Sequence, residues 1–144
     1  MPKSTATCNS ILALILNATS WADIAQNDGS GPLTDLYLSL HTASPGVGNN
    51  QTTNETAYTN YARVAVERTT SGWAVPSAGA SNNVALVQFP QCGASGATIT
   101  HVAIGTAASG AGTVLYQGAL NASLAVANLI QPQFAATALT VTES

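Results

Sequence analysis

Charge is what this sequence has least of. Nine of its 144 residues are Asp, Glu, Lys or Arg, 6% of the chain, against about 25% in an ordinary globular domain. The basic side is thinnest, with only Lys3, Arg63 and Arg68. Phosphate recognition needs clustered Lys and Arg, so nucleic acid is excluded as a partner. No apolar run approaches the roughly 20 residues of a membrane-spanning helix, which excludes that kind of membrane partner. The two cysteines, Cys8 and Cys92, show neither CxxC nor metal spacing and read as buried thiols rather than a disulfide framework. Internal repeats and heptads are missing as well, which excludes a repeat-built fibre shaft or a coiled coil within this chain.

Catalytic signals are equally sparse. His41 and His101 are the only histidines. A nucleophile elbow of the GxSxG type does not occur, so neither histidine has an evident serine to serve. His41 alternates with Leu40 and is expected on the polar face of a strand, and His101 lies in "TITHVAIG". Asp23, Asp28 and Asp35 are close in sequence, but they fall at helix ends and in a turn, where capping accounts for them. The glycines of "GTAASGAG" are not followed by Lys-Ser/Thr and make no phosphate loop. The expectation is therefore no enzymatic activity, no metal and no cofactor. Four N-x-Ser/Thr sequons, at Asn17, Asn50, Asn54 and Asn121, read as chance in a chain rich in Asn and Thr. The only export signal is a single Lys3 before the six-residue apolar run Ile11 to Leu16, short for a signal peptide.

What is present is an apolar content of 46% in a length suited to one domain with its own core. Residues 5–17 read as a helix, with Thr5 or Thr7 as cap and Leu12, Ile15 and Leu16 at helical spacing; its firmest part is 8–17. "TSWADIAQND" adds a possible helical turn capped by Ser20, and "DGSGP" breaks the chain. Beyond Leu33 the period becomes two. Leu36, Leu38 and Leu40 face one way, and Tyr37, Ser39 and His41 the other. "YARVAVE", "GWAV", "NVALVQF", "TITHVAIGT", "GTVLYQGAL", "ASLAVANL" and "ALTVTE" continue as strands between Gly-, Asn- and Pro-rich turns. The fold expected is all-β: an antiparallel sandwich or barrel-like domain of about seven to nine strands with a short N-terminal α-helix. Residues 1–32 form a helical and extended segment, and 33–144 one β domain. Leu36, Leu38, Leu40, Val64, Val66, Ile104, Leu115, Leu139 and Val141 are the expected core.

One stretch stands out. In "LYLSLHTASPGVGNNQTTNETAYTNYARVAV", Leu36 to Val66, two strand patterns flank a polar loop, 42–60, whose one charge is Glu55. Loops of that length are functional or disordered. A neutral Asn-, Gln- and Thr-rich loop hydrogen-bonds across an interface without the cost of desolvating charge. Thr42, Ser44, Asn49, Asn50, Gln51, Thr52, Asn54, Glu55, Tyr58 and Tyr61 are the candidate interface residues. Glu55 is expected at the rim or paired with Arg63 or Arg68. The uncharged surface as a whole suits burial in an assembly, since free surfaces are about 25–35% charged.

The same stretch resembles a family of small tailed-bacteriophage structural proteins often labelled phage tail fibre proteins. Their pattern is "LYxSLHTAxPG", a polar loop, "TNE", "YTxYARVAV" and "GW". Downstream, "SNNVALVQFPQCGASGATITHVAIGTAASGAGTVLYQGAL" and "PQFAATALTVTE" resemble the family's "IGTAxSGAGxxLYxGAL" and "PxFAAGALTVT". The likeness covers roughly residues 33–143, with Thr137 where the family often has Gly. It implies a structural protein located in the virion. Its partners would be other virion proteins, the major capsid protein or tail proteins, and further copies of itself as a homo-oligomer. A capsid-decorating or cement protein is the reading best suited to a short globule. A tail or tail-fibre-associated component is the alternative. A carbohydrate-binding β module is the second, with Trp21, Trp73, Tyr58 and Tyr61 as its aromatics.

Overall fold

A computed structural model describes residues 3–21, 32–47 and 50–144. The order of elements is α1 (Thr5–Leu16), β1 (Asp35–His41), β2 (Val64–Glu67), β3 (Ala80–Asn82), β4 (Val87–Gln88), β5 (Ala97–Gly105), β6 (Val114–Val126), β7 (Gln133–Phe134) and β8 (Thr140–Thr142). The fold is all-β with one short helix, as the periodicity predicts. Among the described residues the eight strands form three sheets, ordered β2-β1-β5-β6, β3-β8 and β4-β7, and none closes into a barrel. The proposed turn after Ser20 and the carboxylates Asp23 and Asp28 lie outside the described residues, apart from Ser20 and Trp21.

The chain forms two compact units. The first comprises Met1–Asp35, Glu67–Val87 and Phe134–Ser144. In it, α1 buries Cys8, Leu12 and Leu16, every fourth residue and hence one stripe. The N-cap is Ser4, whose Oγ accepts from the backbone N of Thr7 at 3.2 Å; Thr7, an expected cap, is the residue being capped. At the other end Arg68 donates to the last-turn carbonyls of Leu14 (2.9 Å) and Ile15 (2.8 Å), and to Leu33 O. Those carbonyls have no partner within the helix, and a cation is favoured at that pole. β3 and β8 pair antiparallel, with Ser81 opposite Val141. Asn83, fully buried, donates through Nδ2 to Ala85 O and Ala135 O and accepts from Leu139 N, each at 2.8 Å. One amide thus satisfies three backbone groups of irregular chain, which burial would otherwise leave at a cost.

The second unit comprises Leu36–Val66 and Gln88–Gln133 and holds the larger sheet. β5 lies between β1 and β6, antiparallel to both, with Leu38 opposite Ile104 and His41 opposite His101. Leu36, Leu38, Leu40, Ile99, Ala103 and Ile104 are buried. The two segments "GTVLYQGAL" and "ASLAVANL" make one strand, β6, rather than two. Its register slips where Ile99 faces Leu124 while His101 faces Ala119, a bulge spanning Leu120 to Ser123. "NVALVQF" shortens to Val87–Gln88. The alternation expected of β1 requires correction. Ser39 and His41 are as buried as the leucines, so the strand is covered on both faces.

Candidate interface site

The 42–60 loop is a closed excursion with a hydrogen-bonded neck. Thr42 N donates to Asn54 O at 2.9 Å, and Thr56 N donates to Leu40 O at 2.9 Å. The chain therefore returns alongside the end of β1 and bridges His41 to Glu55. Asn54 takes φ 55°, a left-handed conformation that Asn tolerates better than most residues. Its Nδ2 reaches back across the neck to Ser44 O at 2.8 Å.

Three buried side chains lock this excursion down. Gln51, fully buried, donates through Nε2 to Tyr37 O at 3.2 Å, while its Oε1 accepts from Ala107 N at 3.0 Å. Its backbone N donates to Gly112 O at 2.8 Å. The slot it fills exists because two positions lack a Cβ. A methyl at Gly105 would lie 2.2 Å from Gln51 Cδ, and one at Gly112 2.2 Å from Gln51 Oε1. Gly105 and Gly112 of "IGTAASGAG" make room for this glutamine.

His41 is the second lock. Its Nδ1 lies 3.0 Å from the carbonyl of Thr53, which can only accept, so Nδ1 carries the proton. Nε2 of the neutral ring then accepts from Ser39 Oγ at 2.9 Å. Burial pulls the His41 pKa down, outweighing the Thr53 hydrogen bond, so the neutral tautomer is the state the fold selects. A serine and a histidine do come together here. Both are fully buried, however, and a backbone carbonyl stands where a catalytic pair would have an orienting carboxylate.

The third lock is ionic. Arg63 grips Glu55 with two hydrogen bonds of 2.7 Å, Nε to Oε1 and Nη2 to Oε2. The same guanidinium donates to Ala107 O and Gly110 O at 2.8 Å. Tyr61 donates its hydroxyl to Glu55 Oε1 at 2.8 Å and accepts from Leu40 N at 3.1 Å. The Arg63 side chain is 2% exposed and that of Glu55 14%. The hydrogen bond to Glu55 raises the Arg63 pKa, and burial drives the Tyr61 hydroxyl well above its ordinary range. Of the alternatives expected for Glu55, the structure selects pairing with Arg63. Only the fork geometry of arginine meets a carboxylate on one side and two carbonyls on the other.

The ten candidate interface residues thus divide. Thr42, Ser44, Thr52 and Asn54 are exposed; Asn50, Glu55 and Tyr61 are half-buried; Gln51 and Tyr58 are buried. Asn49 lies outside the described residues. Tyr58 donates to Pro90 O at 2.8 Å, and burial pushes its pKa up to about 12. It packs edge-on to Tyr61, which stacks on Phe89. Trp73 is fully buried, so neither it nor Tyr58 is offered to a sugar. Sequence reasoning missed Gly105, Gly112, the further reach of Arg63 to Ala107 and Gly110, and the inward turn of Gln51. The one available signal was scarcity, since Glu55 and Arg63 are the only opposite charges between Leu36 and Val66.

Charge is equally scarce outward. Lys3 pairs with Glu143, Arg63 with Glu55, and Arg68 caps α1, which commits all three basic residues internally. No Asp, Glu, Lys or Arg occurs from Thr69 to Thr142. Among the described residues, no three of His, Cys, Asp and Glu gather as a metal site, and no helix is long and apolar enough to cross a membrane.

An all-β chain with a neutral surface and a locked polar loop has the build of a structural subunit of a larger assembly. The family comparison gives the assembly: residues 2–142 match the family described as Podophage GP4 fiber I protein gp80, and the chain belongs to that family. It is a phage fibre structural protein and a component of the virion, associated there with other virion proteins. The match supports the tail-fibre alternative over a capsid-decorating role. No curated protein matches the chain.

Proposed function

We propose that this chain is a subunit of a podophage tail fibre, held to its neighbours in the particle by uncharged surface. The exposed rim of the 42–60 loop is one of its contacts. The observation that carries this reading is the combination of a loop locked from below with a rim of exposed, uncharged residues. Thr42, Ser44, Thr52 and Asn54 remain exposed, as does Val47, while Gln51, His41 and Glu55 fix the backbone beneath them. A rim ordered in advance loses little entropy on docking, and neutral groups shed their water at less cost than charges. The described residues of the loop, 42–47 and 50–60, present a preformed shape.

The test is assembly. Substituting Thr52→Lys and Val47→Lys adds charge to the rim without touching the locks. The variant should fold with an unchanged thermal midpoint yet enter particles poorly, and labelled wild-type protein should map to the fibres in electron micrographs. Full incorporation of the variant, or label on the capsid shell, defeats the reading.

A further inference from the structure

Two of the locks beneath the 42–60 loop are wired together. Gln51 Nε2 donates to Tyr37 O at 3.2 Å and to Ser39 Oγ at 3.5 Å. Ser39 Oγ donates in turn to His41 Nε2 at 2.9 Å, and His41 Nδ1 donates to Thr53 O at 3.0 Å. The donors all point one way, from Gln51 through Ser39 to His41 and back into the loop at Thr53. Gln51, Ser39 and His41 are fully buried, so this chain of bonds is closed off from bulk solvent.

One proton breaks its order. With Nδ1 protonated, Nε2 is the only acceptor on the ring. Once Nε2 also carries a proton, two donors meet at Ser39 Oγ and the serine hydroxyl loses its acceptor. Burial opposes the positive ring most strongly. The Thr53 carbonyl and Glu55 favour it, but the Glu55 carboxylate is already taken by Arg63 and Tyr61. Arg63 opposes the charge, as does His101, directly opposite on β5. Asn50 to Thr53 contain no apolar side chain, so lifting them removes none of their own from the core, and openings of that kind are the least costly in a fold.

We infer that His41 is an acid latch for the loop. A proton on Nε2 releases Asn50 to Thr53 from the sheet and draws Gln51 out of its slot, while the neck at Asn54 to Thr56 and the pairing of β1, β5 and β6 hold. Opening lets water reach the ring, so the open state binds the proton that the closed state resists. Below the ordinary histidine value of about 6.5 the opening constant therefore rises about tenfold per pH unit, until the lowered pKa of the closed state is reached. This deepens the fibre reading by adding a control on the loop's preformed shape, and it rests on that reading only for the loop's use in the particle.

Amide exchange of the full chain, followed from about pH 7.5 to about pH 5 and corrected for the intrinsic rate at each pH, tests the latch. The amides of Gln51 and Ala107 donate to Gly112 O and Gln51 Oε1 and should lose protection about tenfold per pH unit. The neck amide of Thr56, which donates to Leu40 O, and the amides of β5 should not. His41→Gln keeps a donor for Thr53 and an acceptor for Ser39 but does not titrate, and its slope should vanish. An NMR titration of the His41 ring in the wild-type chain makes the test independent of that variant's folding, since ring protonation and loop opening should share one midpoint. Flat protection of Gln51 and Ala107, opening of β5 in the same step, a ring that protonates with the loop still closed, or a slope that survives in folded His41→Gln overturns the latch. Acid opening of the isolated chain with undiminished attachment to particles at the same pH overturns only the loop's part in the fibre contact.

Discussion

Asn83 in the first unit and the Glu55–Arg63 pair in the second hold irregular chain by different physics. Asn83 is neutral and serves three backbone groups, so nothing is ionised in the interior. The Glu55–Arg63 pair places two charges out of water, a cost offset only if every hydrogen bond is made. Here Arg63 makes four, two to Glu55 and one each to Ala107 and Gly110. The Asn83 amide reaches Ala85, Ala135 and Leu139 within its own unit. The ion pair joins a loop, a strand start and a turn.

The largest effect should come from breaking the charged hub. Arg63→Ala leaves Glu55 mostly buried with Tyr61 as its remaining partner and should destabilise by about 3 kcal/mol or more. Amide exchange in residues 50–56 should quicken well before the rest of the unit. Asn83→Ala orphans three backbone groups but no charge and should cost about 2 kcal/mol in denaturant titration. Equal losses for the two variants would erase the distinction drawn between the hubs. Gly105→Ala pushes a Cβ into Gln51 and should cost about 1–2 kcal/mol. Much of that cost should disappear in a Gln51→Ala background, since the two residues share one space.

A smaller effect lies in pH. His41 is held neutral, with its folded pKa below the unfolded value of about 6.5. The unfolded chain therefore binds more protons between the two values, and stability rises with pH across that window. His41 stabilisation is fully present above pH of about 6.5 and is lost as pH falls toward the folded pKa. The difference between wild type and His41→Gln should show this slope, whereas the Asn83 hub should contribute none. Smallest, and opposite in sign, is Thr137→Gly. Thr137 sits at φ 66°, a left-handed conformation costly for a β-branched residue. Glycine there should raise stability by about 0.5–1 kcal/mol, measurable as a higher thermal midpoint.

How much was legible follows from the same residues. Period-two alternation located β1, β5 and β8, and the apolar stripe located α1, because those signals are local. The buried face of Ser39 and His41 was not legible, since alternation assumes that one side of a strand meets water. Gln51 read as an interface residue because polarity is the usual mark of exposure, and only the two glycines in a distant turn turn it inward. Glu55 reads from the sequence as a rim charge or as the partner of Arg63 or Arg68, and the fold selects Arg63. The candidate interface was legible as a stretch of sequence. Its division into locked and outward residues required the fold.

The commitment of every basic side chain to an internal partner has a kinetic consequence. Long-range attraction between charged patches lifts protein association toward 10⁸–10⁹ M⁻¹s⁻¹ and fades as salt is added. This chain has no such patch between Thr69 and Thr142, so its encounters should proceed at the unsteered rate of about 10⁵–10⁶ M⁻¹s⁻¹. Orientation must then be found by shape after collision, and the joint that results should hold almost equally well in dilute buffer and in brine.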